Sequence, residues 1–140
     1  MPVLTITGAA RDAMVAHAYR CFPEEMCGLI AGVPGAQHVA HFYPCTNDAH
    51  SAKLYTINPK DHLRAELDAE DHGWEIIGCV HSHTHTEPYP SPTDVAEAPD
   101  PGWHYLIVSL KRPEPEVRGY RITGRDPATA IAEAPLAIAG

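Results

Sequence analysis

The sequence predicts a mixed α/β fold, a single mixed-sheet domain with flanking helices over residues 1–140, with its core at about 3–123 and a tail at about 124–140. Three observations predict it. Short apolar runs bounded by Gly and Pro alternate with two longer stretches of helical spacing, as in helices layered on a sheet. Trp74 to Val80 is the strongest central-strand signal in the chain. No internal repeat and no linker-like segment interrupts the 140 residues, a length that suits one buried core.

Taken in order, Val3 to Thr7 alternates and predicts a short strand. A helix is expected from about Ala9 to Cys21, with Ala10, Met14, His17, Ala18 and Cys21 forming a modest apolar stripe. Phe22-Pro23 ends it, because the residue before proline avoids the helical region. Met26 to Ala31 reads as a buried strand ending at Gly32, and Val39 to Tyr43 as its return strand after the Pro34-Gly35 turn. Leu54 to Ile57 is a weak strand. Asn58 then caps a helix with Pro59 in its first turn, anchored by Leu63 and Leu67 and stopping near Gly73. Beyond the central strand lie a proline-rich loop, a short helix at Thr93 to Ala98, and paired strands at Trp103 to Leu110 and Val117 to Thr123. The Ala-rich tail after Asp126-Pro127 suits a loose helix or an edge strand.

Composition excludes several classes. A formal charge of −8 with only ten Lys and Arg argues against nucleic acid as a partner, which calls for a basic patch. No window approaches the roughly 18 consecutive apolar residues of a membrane span. The first residues lack the charge and apolar pattern of a signal peptide, so a cytoplasmic location is expected. Cys21, Cys27, Cys45 and Cys79 form no Cys-x-x-Cys pair, so they are expected as free thiols and a Cys-rich metal site is not.

The chemistry concentrates after the central strand, in a segment that runs His81-Ser82-His83-Thr84-His85 and continues through Ser91 to Asp94. Side chains alternate along a strand, so His81 and His83 point to one side. A carboxylate returning through a stiff loop supplies a third ligand. Two histidines, one carboxylate and an open position make the pattern of a catalytic zinc site, where the ion acidifies water. Taken singly, each residue has a plainer role: a hydrogen-bonded histidine pair, a solvated or capping Asp94, an N-cap Ser91.

The joint spacing His81-x-His83, seven residues, Ser91, two residues, Asp94 resembles the His-x-His-x7-Ser-x2-Asp signature of the JAMM, or MPN+, metalloprotease family. The upstream run Pro23-Glu24-Glu25-Met26-Cys27-Gly28 resembles that family's Pro-x-Glu-x-Cys-Gly stretch. The resemblance implies a cytidine-deaminase-like layered fold and one catalytic Zn²⁺ on His81, His83 and Asp94. It implies Glu25 as general base and then proton donor to the leaving amine, and Ser91 as hydrogen-bond donor to the oxyanion. Glu24 is the rival to Glu25; motif spacing favours Glu25, and neighbours in an extended segment face opposite ways. Pairing His83 with His85 leaves only five residues before Ser91, so His85 reads as a loop residue. Glu87 and Tyr89 lie in that loop, where they are placed to restrict entry. Cys27 reads as packing.

Within the family the chain is similar to the small bacterial Mec-type hydrolases. That similarity implies hydrolysis of a Gly–X amide at the Gly-Gly tail of a ubiquitin-like sulfur-carrier protein, releasing cysteine. Two other readings remain open: a non-catalytic MPN scaffold, and a zinc hydrolase of a small-molecule amide.

Overall fold

A computed structural model describes residues 3–139. Strand β1 (Leu4–Thr7) leads into helix α1 (Gly8–Cys21), whose N-cap Thr7 accepts a hydrogen bond from the Ala10 N–H at 3.1 Å. Strands β2 (Cys27–Gly32), β3 (His38–Val39) and β4 (His41–Cys45) precede helix α2 (Pro59–Asp71). The long strand β5 (Glu75–His83), the short helix α3 (Pro92–Ala96), and strands β6 (His104–Ser109), β7 (Glu116–Ile122), β8 (Ile131–Ala134) and β9 (Leu136–Ala139) complete the order. The large sheet runs β4-β2-β5-β6-β7-β8, with only β5 and β6 parallel. The small sheet β3-β1-β9 is all parallel. This is the mixed α/β architecture that the sequence predicts.

Side-chain parity divides the core between the two faces of the large sheet. Met26, Ile30, Val80, Leu106 and Val108 pack with Met14 and Ala18 of α1. Cys27, Leu29, Cys79, Tyr105 and Ile107 pack with Ala65 of α2. His81 and His83 continue the parity of Cys79, so the α2 face carries them. Gly28 has no room for a side chain: a Cβ there would run into the Phe42 ring and the Tyr43 carbonyl oxygen.

Three local expectations change, and one left between two alternatives is decided. Leu63 and Leu67 do not anchor α2; they are 59% and 55% exposed, while Ala65 and Ala69 are buried. Both pairs have i, i+4 spacing, and the small pair lets the helix lie close on the sheet. The return strand splits at Ala40: His38 and Val39 pair with β1, the Ala40 N–H donates to the Ala31 carbonyl at 2.8 Å, and from His41 the chain runs in register with β2. Thr5 draws the first part away, its Oγ1 lying 2.6 Å from His38 Nδ1. The Leu54–Ile57 strand reduces to one bridge, Asn47 with Ile57. There the Asn47 side chain accepts from the Thr56 and Ala49 N–H groups, taking the place of a strand partner. The tail resolves in favour of strands: β8 extends the large sheet and β9 pairs with β1. No helix among the described residues is long and apolar enough to cross a membrane.

One buried group gives a stability prediction. His104 is 7% exposed, its Nδ1 has no hydrogen-bond partner, and Arg121 is its register partner on β7. Burial first, and the Arg121 charge second, push its pKa down to about 4. Between pH 4 and about 6.5 the unfolded chain therefore binds a proton that the native state refuses, and stability falls as pH drops through that window. The stability of wild type relative to His104→Phe should fall by about 3 kcal/mol between pH 7 and pH 4. Denaturant melts at the two pH values measure it. A gap that does not change with pH would show that His104 titrates normally.

Candidate metal centre

The site is assembled where β5 ends. Pairing of β2 with β5 sets Cys27 opposite His81, and the same register carried back two residues brings Glu25 opposite His83. Ser82 reinforces this end: its Oγ accepts from the Met26 N–H at 2.7 Å, and its own N–H donates to the Met26 carbonyl at 3.1 Å. The 46–58 loop holds Glu25 from the other side. The Glu25 N–H donates to the Ser51 carbonyl at 2.8 Å, and Asn47 Nδ2 donates to the Glu25 carbonyl at 3.0 Å.

Asp94 arrives through α3. Ser91 is the N-cap of this helix and Asp94 its third residue. The Asp94 N–H donates to Ser91 Oγ at 3.0 Å, and the Ser91 N–H donates to Asp94 Oδ2 at 2.9 Å. This reciprocal capping box explains the two-residue gap between Ser91 and Asp94. Pro92 in the first turn has no N–H to leave unsatisfied. The plain N-cap role of Ser91 is thus realised. It uses Ser91 Oγ as an acceptor and leaves the hydroxyl proton free to donate elsewhere.

His81, His83 and Asp94 converge. Asp94 Oδ2 lies 3.1 Å from the Nε2 atoms of both histidines, and those two atoms are 3.2 Å apart. All three side chains are buried. His83 Nδ1 donates to the Glu87 carbonyl at 2.7 Å, which turns the Nε2 lone pair of the neutral ring into the cluster. Tyr55 stacks on the His81 ring at 4.5 Å between centroids.

The donor set fits a metal ion. Donors about 2.0–2.1 Å from a tetrahedral ion stand roughly 3.3 Å apart, close to the spacing of these three atoms. Burial alone would raise the Asp94 carboxyl, but the His81 charge and the hydrogen bonds from His81, His83 and Ser91 outweigh it and hold it well below the usual carboxylate range. Burial alone would lower the His83 ring, but Asp94 and the Glu87 carbonyl raise it. The metal-free cluster thus favours extra positive charge on His83, a charge that a bound cation also supplies.

Glu25 is 3% exposed and its Oε1 has no hydrogen-bond partner. Burial pushes its carboxyl up to about 8, with the His83 charge opposing and the Asp94 charge adding to the rise. Glu24 faces the other way, with its side chain 44% exposed and 3.5 Å from His50 Nδ1. His85 stays outside the cluster; it is exposed, and its Nδ1 lies 2.9 Å from Thr84 Oγ1. Cys27 has no exposure, and burial pushes its thiol far up, which removes the thiolate that a nucleophile requires.

A cavity of about 230 Å³ opens beside Asp94, with Tyr55, Ile57 and Trp103 among its walls. Glu87 and Tyr89 do not line it. Glu87 pairs with Lys111 and Arg112, and Tyr89 sits edge-on to Tyr120. The sequence reading gives no site role to three residues that hold the site: Tyr55, Asn47 and Ser82. Ser82 lies within the His-x-His string and Tyr55 within an apolar run, but their contacts depend on tertiary pairing.

Residues 7–123 match the family of prokaryotic homologs of the JAB domain. Over 121 residues the chain is 40% identical to a CysO-cysteine peptidase of Mycobacterium tuberculosis, covering 86% of this chain and 83% of that one. It is 32% identical over 126 residues to a desampylase of Haloferax volcanii, covering 86% of this chain and 88% of that one. A solution structure of a protein from Desulfitobacterium hafniense matches with a TM-score of 0.83 at 31% identity, covering 96% of this chain and 92% of that one. The family match takes in Glu25, both converging histidines, Ser91 and Asp94 in one continuous span, and the chain belongs to the JAB/MPN family, in its prokaryotic branch.

Proposed function

We propose that this protein is a zinc-dependent peptidase that hydrolyses the Gly–X amide at the Gly-Gly tail of a ubiquitin-like sulfur-carrier protein, releasing cysteine. The observation that carries the reading is the buried His81–His83–Asp94 cluster with the unpartnered, protonatable Glu25 carboxyl beside it. The names of the peptidase and desampylase relatives support the reaction type and the kind of substrate.

His81, His83 and Asp94 hold the zinc ion. When bound, the ion supplies Lewis acidity to the amide carbonyl and lowers the pKa of water toward neutrality. Glu25 would be held as a carboxylate, and so be available as base, with a cation bound beside it. Glu25 takes a proton from water as it attacks the carbonyl carbon, then gives that proton to the leaving amine. The Ser91 hydroxyl, its oxygen already engaged by the Asp94 N–H, donates its proton to the oxyanion. The apolar wall of Tyr55, Ile57 and Trp103 receives the extended tail leading to the cleaved bond. Four free thiols suit a reducing compartment, in keeping with a cytoplasmic enzyme.

The test is a mass measurement. Zinc-loaded protein incubated with a carrier ending in Gly-Gly-Cys should convert it to the Gly-Gly form with loss of one cysteine. An unchanged carrier mass, with zinc bound, would exclude this substrate and leave a small-molecule amide or a binding role.

A further inference from the structure

The loop between His83 and Ser91 is held from outside the motif. Three consecutive carbonyls each accept a side-chain hydrogen bond. Ser109 Oγ donates to the Thr86 carbonyl at 2.6 Å, His83 Nδ1 donates to the Glu87 carbonyl at 2.7 Å, and the Tyr120 hydroxyl donates to the Pro88 carbonyl. Ser109 ends β6, Tyr120 lies in β7, and both are buried. The middle acceptor sets the His83 ring; the outer two are fixed by hydroxyls on paired strands. The Leu110 N–H also donates to the His83 carbonyl at 3.0 Å, so the same end of β6 holds the ligand's own backbone. Outside, Lys111 and Arg112 clasp the Glu87 side chain.

We infer that Ser109 and Tyr120 are positioning residues for the metal: they hold the Glu87 carbonyl where it keeps His83 protonated on Nδ1 and open on Nε2. The inference rests on the metal reading above. A neutral imidazole carries one ring proton, and only a ring with its proton on Nδ1 presents a lone pair at Nε2. Loss of the Tyr120 hydroxyl leaves the buried Pro88 carbonyl without its donor and frees the Pro88–Tyr89 peptide, whose N–H donates to the Glu87 carbonyl. The Glu87 carbonyl, which accepts from the Tyr89 N–H at 2.8 Å as well as from His83, is then held less firmly, and so are the tautomer and angle of the His83 ring. Partners one shell beyond a ligand contribute about 10–100-fold to metal affinity. Ser109 is the register partner of His83, but its hydroxyl and that of Tyr120 bond to loop carbonyls and not to His81, His83 or Asp94, so the side-chain effect passes through the loop.

The experiment is zinc affinity, measured by competition with a coloured chelator at a temperature where circular dichroism shows the metal-free proteins folded. Under that condition global stability does not enter the dissociation constant. Tyr120→Phe should weaken zinc binding about tenfold, Ser109→Ala by a similar factor, and the double variant by more. Co²⁺ supplies a second readout, because its visible bands follow the geometry of the ligands; they should shift or broaden in Tyr120→Phe. Unchanged affinity and spectrum in both single variants would overturn the inference while the metal site stands. If wild type itself binds no zinc, the metal reading fails and this inference fails with it. Should Tyr120→Phe not fold, Ser109→Ala decides alone.

Discussion

Replacing Glu25 by Gln should lower turnover on a Gly-Gly-Cys tail by about a thousandfold and leave zinc bound. The substitution keeps the shape of the side chain and removes only the ability to carry a proton. Glu25 has no hydrogen bond at Oε1 to lose, and its backbone is held independently by Ser51 and Asn47. The variant also separates catalysis from stability. In the metal-free native state the Glu25 carboxyl titrates near 8, above its value of about 4.5 in the unfolded chain. Its favourable contribution is fully present below pH 4.5 and is lost as pH rises through 8. Metal-free Glu25→Gln should therefore gain stability over wild type across that window, as melts at pH 5 and pH 8 would show. Retained activity would remove Glu25 as the base. Lost zinc would make it a ligand.

The second large effect is at His83. His83→Ala removes one of the three proposed ligands and should weaken zinc binding by more than about a hundredfold, beyond the loss expected from a partner one shell further out. Carrier cleavage should disappear with it. His85→Ala is the paired control, two residues on along the chain; it should bind zinc and cleave like wild type. His85 is exposed and lies against Thr84 and Phe22. Zinc content of the two purified variants, measured side by side, tests this. Metal loss in His85→Ala would move the site one strand repeat along.

Several parts of the site are legible because they follow local rules. Strand parity places His81 and His83 together. The Ser91-x-x-Asp94 spacing is that of a helix cap and its third residue, so a local rule explains the end of the motif. Glu25 differs: its 56-residue distance from His81 is bridged only by the pairing of β2 with β5, and the family resemblance alone points to it. Where two local patterns compete, the sequence is silent. Leu63/Leu67 and Ala65/Ala69 have equal helical spacing, and contact with the sheet selects the alanines. Asn47 displaces a strand at 54–57 with its side chain, and Ser109 and Tyr120 reach the ligand loop across the sheet. The Ser109 and Tyr120 contacts join residues 23 and 32 positions apart, too far for a local pattern to show them.

The most direct test of the central claim is a zinc titration of chelator-stripped protein with carrier cleavage as the readout. The stripped protein should be inactive, and activity should return linearly and saturate at about one zinc per chain, as one ion held by the proposed His81–His83–Asp94 set would require. Cleavage that survives stripping, or that fails to return when zinc binds to His81, His83 and Asp94, would contradict a metallopeptidase mechanism at this site.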